Sequence, residues 1–161
     1  MIFIPEITIN GEKYIYDTYY HQTIKGDGMY DRAINHLKNL DMIDKEDILV
    51  ACTDCAATPT VSGNGGADEI HYLLAANDEG LRIFDVDRRT GTFLGTYSKI
   101  VKDEITAAGI NGSMGSFTLT LRTVSERLAY ETNVKLYGRE QKGEILRLKE
   151  YFRSGFKAMR G

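Results

Sequence analysis

No apolar run in this sequence approaches the roughly 18–20 residues a helix needs to cross a bilayer. The first residues, Met1-Ile2-Phe3-Ile4-Pro5-Glu6, lack both a basic segment and a long apolar stretch, so no secretory leader is expected. Cysteine is scarce, and two thiols suit a reducing compartment. Positive charge is not in excess: the formal net charge is −3 and the pI about 5.6. Such a chain gains little from counterion release on a phosphate backbone, which disfavours nucleic acid as a partner. No internal repeat is present. What remains is a chain of 161 residues, 42% hydrophobic and 27% charged. It is long enough to bury a core without staples, as one domain or one domain with an extension. A cytoplasmic location is the simplest expectation.

The pattern of apolar residues divides the chain near residue 45. Phe3–Ile9 and Tyr14–Tyr20 are rich in Ile, Thr and Tyr and flank Asn10-Gly11, a strong hairpin signal. Pro5 has no N–H and belongs at an edge. After Gly26-Asp27-Gly28, with Asp27 as an N-cap, Met29, Ala33, Ile34, Leu37, Leu40 and Ile43 fall on one helical face. From Asp44 the period shortens to two. Strands are predicted at Ile48–Cys52, Ile70–Ala76, from Leu81 through Ile83, at Thr92–Tyr97, Ile105–Ile110, Ser116–Arg122 and Leu128–Thr132. Turn chemistry separates them, as in Asn77-Asp78-Glu79-Gly80 and Arg88-Arg89-Thr90-Gly91, and Thr58–Ala67 reads as a loop. Ile145, Leu148, Phe152 and Phe156 then form a stripe on a helix from about Arg139 to Lys157. The expected fold is mainly β with flanking helices: a seven-strand antiparallel barrel capped by a C-terminal helix. Residues 1–45 would be a hairpin-helix extension and residues 46–161 the barrel domain.

The segment Leu73–Asp87, L-L-A-A-N-D-E-G-L-R-I-F-D-V-D, followed by Asp103–Leu121, D-E-I-T-A-A-G-I-N-G-S-M-G-S-F-T-L-T-L, resembles the bacterial pleckstrin-homology-like (PH/GRAM) superfamily. The resemblance spans roughly residues 46–156. It implies a seven-strand barrel with a terminal helix, and a module that binds rather than catalyses. In one respect the chain departs from the lipid-binding members, which are similar to one another in carrying Lys and Arg on the first strand and the loop after it. Ile48–Asp68 contains neither. Phosphate needs cationic donors or a cradle of N–H groups, so inositol-lipid binding is not expected.

Several motifs suggest chemistry and fail on spacing. Cys52-Thr53-Asp54-Cys55 has no second pair, and His21, His36 and His71 are not placed to complete a metal site. In a strand an offset of three sends the two sulfurs to opposite faces, leaving Cys52 as core and Cys55 at the strand end. No metal or other cofactor is therefore expected. Asp85-Val86-Asp87-Arg88-Arg89 puts a cation where a calcium loop needs an oxygen. The glycines of Gly109–Gly115 are not followed by Lys-Ser/Thr and a helix, so they read as turn residues. No G-x-S-x-G occurs, and Asp68-Glu69 and Asp103-Glu104, read as strand residues, face opposite ways. His36 would flank the helical stripe and His71 begin a strand, both structurally. An enzyme is not expected.

Two surface features suit binding. Tyr14, Tyr16 and Tyr20 share strand parity and could present three rings on one face, against the hairpin's own barrel or a partner. The tail, including Arg147, Arg153 and Lys157, is basic in an acidic protein. The sequence is thus read as a binding module acting through protein or peptide contacts. The routes would be strand addition at a free edge or docking beside the C-terminal helix. Homodimerisation through the hairpin is one form of this. Peripheral membrane contact through the basic tail is the alternative, and a small metal protein or enzyme a distant one.

Overall fold

The structure is a computed structural model. It describes residues 7–9, 12–17, 22–25, 29–55, 71–87, 90–136 and 140–156, with the backbone course alone up to residue 29. Pro5, the Asp27 cap and the Thr58–Ala67 loop lie outside the described residues. The N-terminal segment forms a three-stranded antiparallel sheet of β1 (Ile7–Ile9), β2 (Glu12–Asp17) and β3 (Gln22–Lys25), in chain order. Ile9 pairs with Glu12, so β1 and β2 are antiparallel neighbours on either side of the Asn10-Gly11 signal, which itself lies outside the described residues. Strand β2 is described over Glu12–Asp17 and overlaps the expected Tyr14–Tyr20 strand, of which residues 18–20 lie outside the described residues. The third strand, β3, was not expected.

Helix α1 (Met29–Asn39) buries Tyr30, Ala33, Ile34 and Leu37. Leu40, expected on the same stripe, is 48% exposed. The helix stops before it: Asp41 adopts φ 56°, Met42 N–H donates to Leu37 O (3.0 Å) and Asp41 N–H to Lys38 O (3.0 Å). These are the two bonds of a Schellman ending, here with Asp in the left-handed position that Gly usually takes. The reversal turns Leu40 outward and returns Ile43 to the core.

Seven further strands follow: β4 (Ile48–Asp54), β5 (His71–Asn77), β6 (Gly80–Val86), β7 (Phe93–Val101), β8 (Ile105–Ser113), β9 (Ser116–Thr123) and β10 (Arg127–Asn133). They form one antiparallel sheet in the order β7-β6-β5-β4-β10-β9-β8. A four-strand meander and a three-strand meander are joined where β10 meets β4. The expected seven strands are present, but the sheet does not close, because β7 and β8 are its two ends. Lys102–Glu104 between them is a 3-10 turn, so Asp103 and Glu104 are turn residues and not strand residues. The β8–β9 turn is Met114-Gly115, with φ of 58° and 86°. Two successive left-handed residues are what a two-residue hairpin demands. Gly80 is fixed for a different reason: a Cβ there would lie 2.2 Å from Ile100 O.

Alternation sorts the sheet into two cores. Ile48, Val50 and Cys52 of β4, with Leu74, Ile83, Ile100, Ile105, Leu119 and Tyr130 from the other strands, meet Ile145, Leu148 and Phe152 of α2 (Lys142–Gly155). Every strand of this sheet contributes, so it must wrap around the helix. Phe156 lies just past α2 and is half-buried against the same core. The opposite parity, Leu49, Ala51, Leu73, Ala75, Phe84 and Val86, packs under α1. This opposite surface is the outer face of the sheet. Tyr30, which the helical pattern did not single out, is fully buried there and its hydroxyl donates to Leu49 O.

The join between the two meanders is short: β10 pairs with β4 at Tyr130–Asp54 and Glu131–Thr53. Beyond that, the buried Gln141 side chain takes the place of a strand. Its Oε1 accepts from Ala51 N–H (3.0 Å), and its Nε2 donates to Ala51 O (3.3 Å) and Thr132 Oγ1 (3.0 Å). Thr132 Oγ1 also donates to Ala51 O (2.6 Å). A buried backbone amide must be paired, and here one side chain just before α2 serves both groups of Ala51.

Candidate functional site

Tyr14 and Tyr16 occupy alternate positions of β2, Tyr14 in register with Ile7 of β1 and Tyr16 with Thr23 of β3. Tyr20 and Lys157 lie outside the described residues. Arg147 and Arg153 are exposed on α2, each bonded at 2.8 Å to a carboxylate one turn earlier, Glu144 and Glu150. Such surface pairs contribute little stability and leave the helix only mildly positive.

The cysteines separate as the strand offset requires. Cys52 is buried in the core shared with α2, where burial pushes its thiol pKa up, with the Asp54 carboxylate adding to the shift. Cys55 follows the end of β4, half-buried, with its sulfur 3.8 Å from Glu131 Oε1. Among the described residues no group of three His, Cys, Asp or Glu side chains is placed to hold a metal.

Where the α2-facing surface opens, Tyr72 and Tyr130 meet edge to face at 5.3 Å, and Tyr72 donates to Asp54 Oδ1 at 3.1 Å. Burial, followed by nearby acidic groups, raises the pKa of both phenols. Both stay protonated at neutral pH, and Tyr72 serves as a hydrogen-bond donor to Asp54. His36, the helix histidine, is a fastener: its Nδ1 accepts from Phe93 N–H at 3.0 Å and ties α1 to β7.

Two places among the described residues suit a ligand best. The first is the free side of β7, an edge strand that among the described residues is bonded to β6 alone. Lys102 N–H turns toward the preceding hairpin and donates to Glu79 O at 2.9 Å, whereas Val101 N–H is taken by the Glu104 side chain at 3.3 Å. Alternation then directs the amides of Lys99 and Tyr97 away from β6. His36 and Glu104 thus occupy amides at the two ends of the strand and leave its middle. Residues 94–99 are exposed, including Leu94 at 57% and Tyr97 at 47%. A bulge interrupts the pairing: from Phe84 to Val86 β6 advances two residues while β7, from Tyr97 back to Phe93, advances four.

The second place is a depression of about 400 Å³ on the outer face, beyond the reach of α1. His71, Thr53, Glu131, Thr118 and Asn111 stand side by side in it, each directly opposite the next across β5, β4, β10, β9 and β8. Neither place was marked in the sequence. Alternation did put His71, Thr53, Thr118 and Glu131 on polar positions, but their alignment depends on register between strands far apart in the chain.

No family model matches the chain, and neither the curated proteins nor the solved structures give a match. Among the described residues, no helix is long and apolar enough to cross a membrane.

Proposed function

We propose that this protein is a non-enzymatic, cytoplasmic binding module of pleckstrin-homology-like design that captures an extended segment of a protein partner along β7. The observation that carries the reading is the middle of β7. There, outward-directed backbone amides run beside exposed Leu94, Tyr97 and Lys99, while side chains cover the amides at the two ends. An unpaired edge is a template for another strand: backbone bonds supply affinity and alternate side chains supply specificity. The PH-like part is supported by the strand order, two meanders followed by a helix that packs on β4 and β8. A displayed library of extended peptides, selected on the whole protein, tests it. Selected peptides should protect the Tyr97 and Lys99 amides from exchange, and Lys99→Pro should abolish capture. Peptides that leave β7 unprotected would sink the edge reading.

A further inference from the structure

The depression on the outer face differs from the rest of the surface in how its carboxylate is left. At another acidic depression, lined by Asp41, Asp44 and Asp47, Asp47 is almost fully buried and holds a cation of the chain itself. Arg82 Nη2 lies 2.7 Å from its Oδ2, Asn77 Nδ2 3.0 Å from its Oδ1, and Asp44 N–H also donates to it. That carboxylate is satisfied. Glu131 is half-buried in the middle of a five-strand polar row, and among the described residues the hydrogen bond to its side chain comes from the Cys55 thiol at 3.8 Å, a weak donor. No Lys or Arg is among the described residues that line the depression. Around Glu131 stand Thr53, Thr118, Ser116 and Asn133, whose hydroxyl and amide oxygens can accept hydrogen bonds.

We infer that this depression binds an organic cation, a guanidinium or primary ammonium group, with Glu131 as its counter-charge. Three features set the ligand's chemistry. A phosphate or carboxylate would find a negative side chain and no Lys or Arg among these lining residues, so anions are disfavoured. A lone carboxylate among neutral oxygens is too poor a ligand set for a divalent ion, which wants several charged ligands. A guanidinium or ammonium carries three to five N–H donors and no acceptor, the complement of a carboxylate ringed by hydroxyls and amide oxygens. The depression, at about 400 Å³, has room for such a group. The cation can come from a free small molecule or from an Arg or Lys side chain of a bound polypeptide. The site is separate from the β7 edge and does not depend on it.

The test is a titration of the isotope-labelled whole protein, followed by its backbone amide resonances. The probes are butylguanidinium, butylammonium, an Ala-Ala-Arg-Ala-Ala peptide and inorganic phosphate. Saturable shifts are expected at Thr53, Thr118 and Glu131 with the cations and not with phosphate. Glu131→Gln should weaken them at least about tenfold, a difference well resolved at millimolar affinity. Glu144→Gln, which changes a carboxylate on α2, should leave them unchanged. A peptide that binds about tenfold more tightly than butylguanidinium assigns the cation to a polypeptide, and equal affinity assigns it to a small molecule. Should Glu131→Gln lose its dispersed spectrum, Thr118→Val replaces it and is expected to weaken binding several-fold. The inference is overturned by shifts that do not saturate, that centre on the Asp41–Asp47 loop, or that survive in the variant that folds.

Discussion

One sheet buries its two faces in different ways. On the face toward α2, residues from all seven strands of the large sheet converge on Ile145, Leu148 and Phe152. On the other face, α1 covers β4, β5 and β6, and the polar row from His71 to Asn111 lies beyond it. The first face therefore sets stability, because one helix gathers strands that would otherwise splay at an unclosed end. The second has less apolar area to protect and can carry polar side chains in register. In antiparallel sheets this division of labour is common: one side packs and the other is free to bind. Here it places the candidate surfaces where substitutions should cost the fold little.

The sharpest way to break the comparison is Phe152→Ala. Loss of a fully buried ring from the α2 core should destabilise by about 3–5 kcal/mol, read as a shift in the denaturant midpoint at constant slope. A change under about 1 kcal/mol would show that α2 does not gather the sheet. Next in size is Gln141→Ala. It leaves the Ala51 N–H without its side-chain acceptor, while Thr132 Oγ1 still donates to Ala51 O, and should cost about 1–3 kcal/mol. Gln141→Glu keeps the acceptor but removes the donor, and puts a charge in a buried site, so it should be no milder.

Alkaline titration probes the face toward α2. Tyr151 donates to Asn77 O at 2.8 Å, and burial, with Asp78 nearby, pushes its pKa from 10.0 up to about 12. The unfolded chain then releases this proton first. The tyrosine's contribution is complete below about pH 10 and is lost as pH rises toward about 12. Tyr72, Tyr130 and Cys52, also raised and on the same face, act in the same direction. The midpoint should fall across this window, and Tyr151→Phe should flatten the fall. The smallest effect is expected at Leu40→Ala: its side chain is turned out past the end of α1, and the midpoint should move by no more than about 0.5 kcal/mol.

Much of this architecture was legible in the sequence because it rests on local rules. Strict alternation in Phe117-Thr118-Leu119-Thr120-Leu121 located β9 and its buried face, and Asn10-Gly11 located the first hairpin. The spacing of Ile145, Leu148 and Phe152 gave the buried stripe of α2. Most of the misses come from chain-distant partners. Gln141 reads as a surface residue until Ala51, ninety positions away, needs two hydrogen bonds. Gln22–Lys25 is too short and polar to announce a strand without β2 beside it. Leu40 is a local exception: it fits the helical period, and only the reversal at Asp41 removes it from the face. Of the binding surfaces, the sequence suggested a free edge without saying which strand. Edge status depends on the order of strands in the sheet, as the polar row depends on its register.

The edge itself can be examined most directly by amide hydrogen exchange, residue by residue along β7 in the isolated protein. The account predicts alternation: fast exchange at Tyr97 and Lys99, whose amides face away from β6, and slow exchange at Ser98 and Ile100, whose amides face it. Uniformly slow exchange from Tyr97 to Ile100 would mean that this edge is already occupied, and would contradict the claim that it is open to a partner.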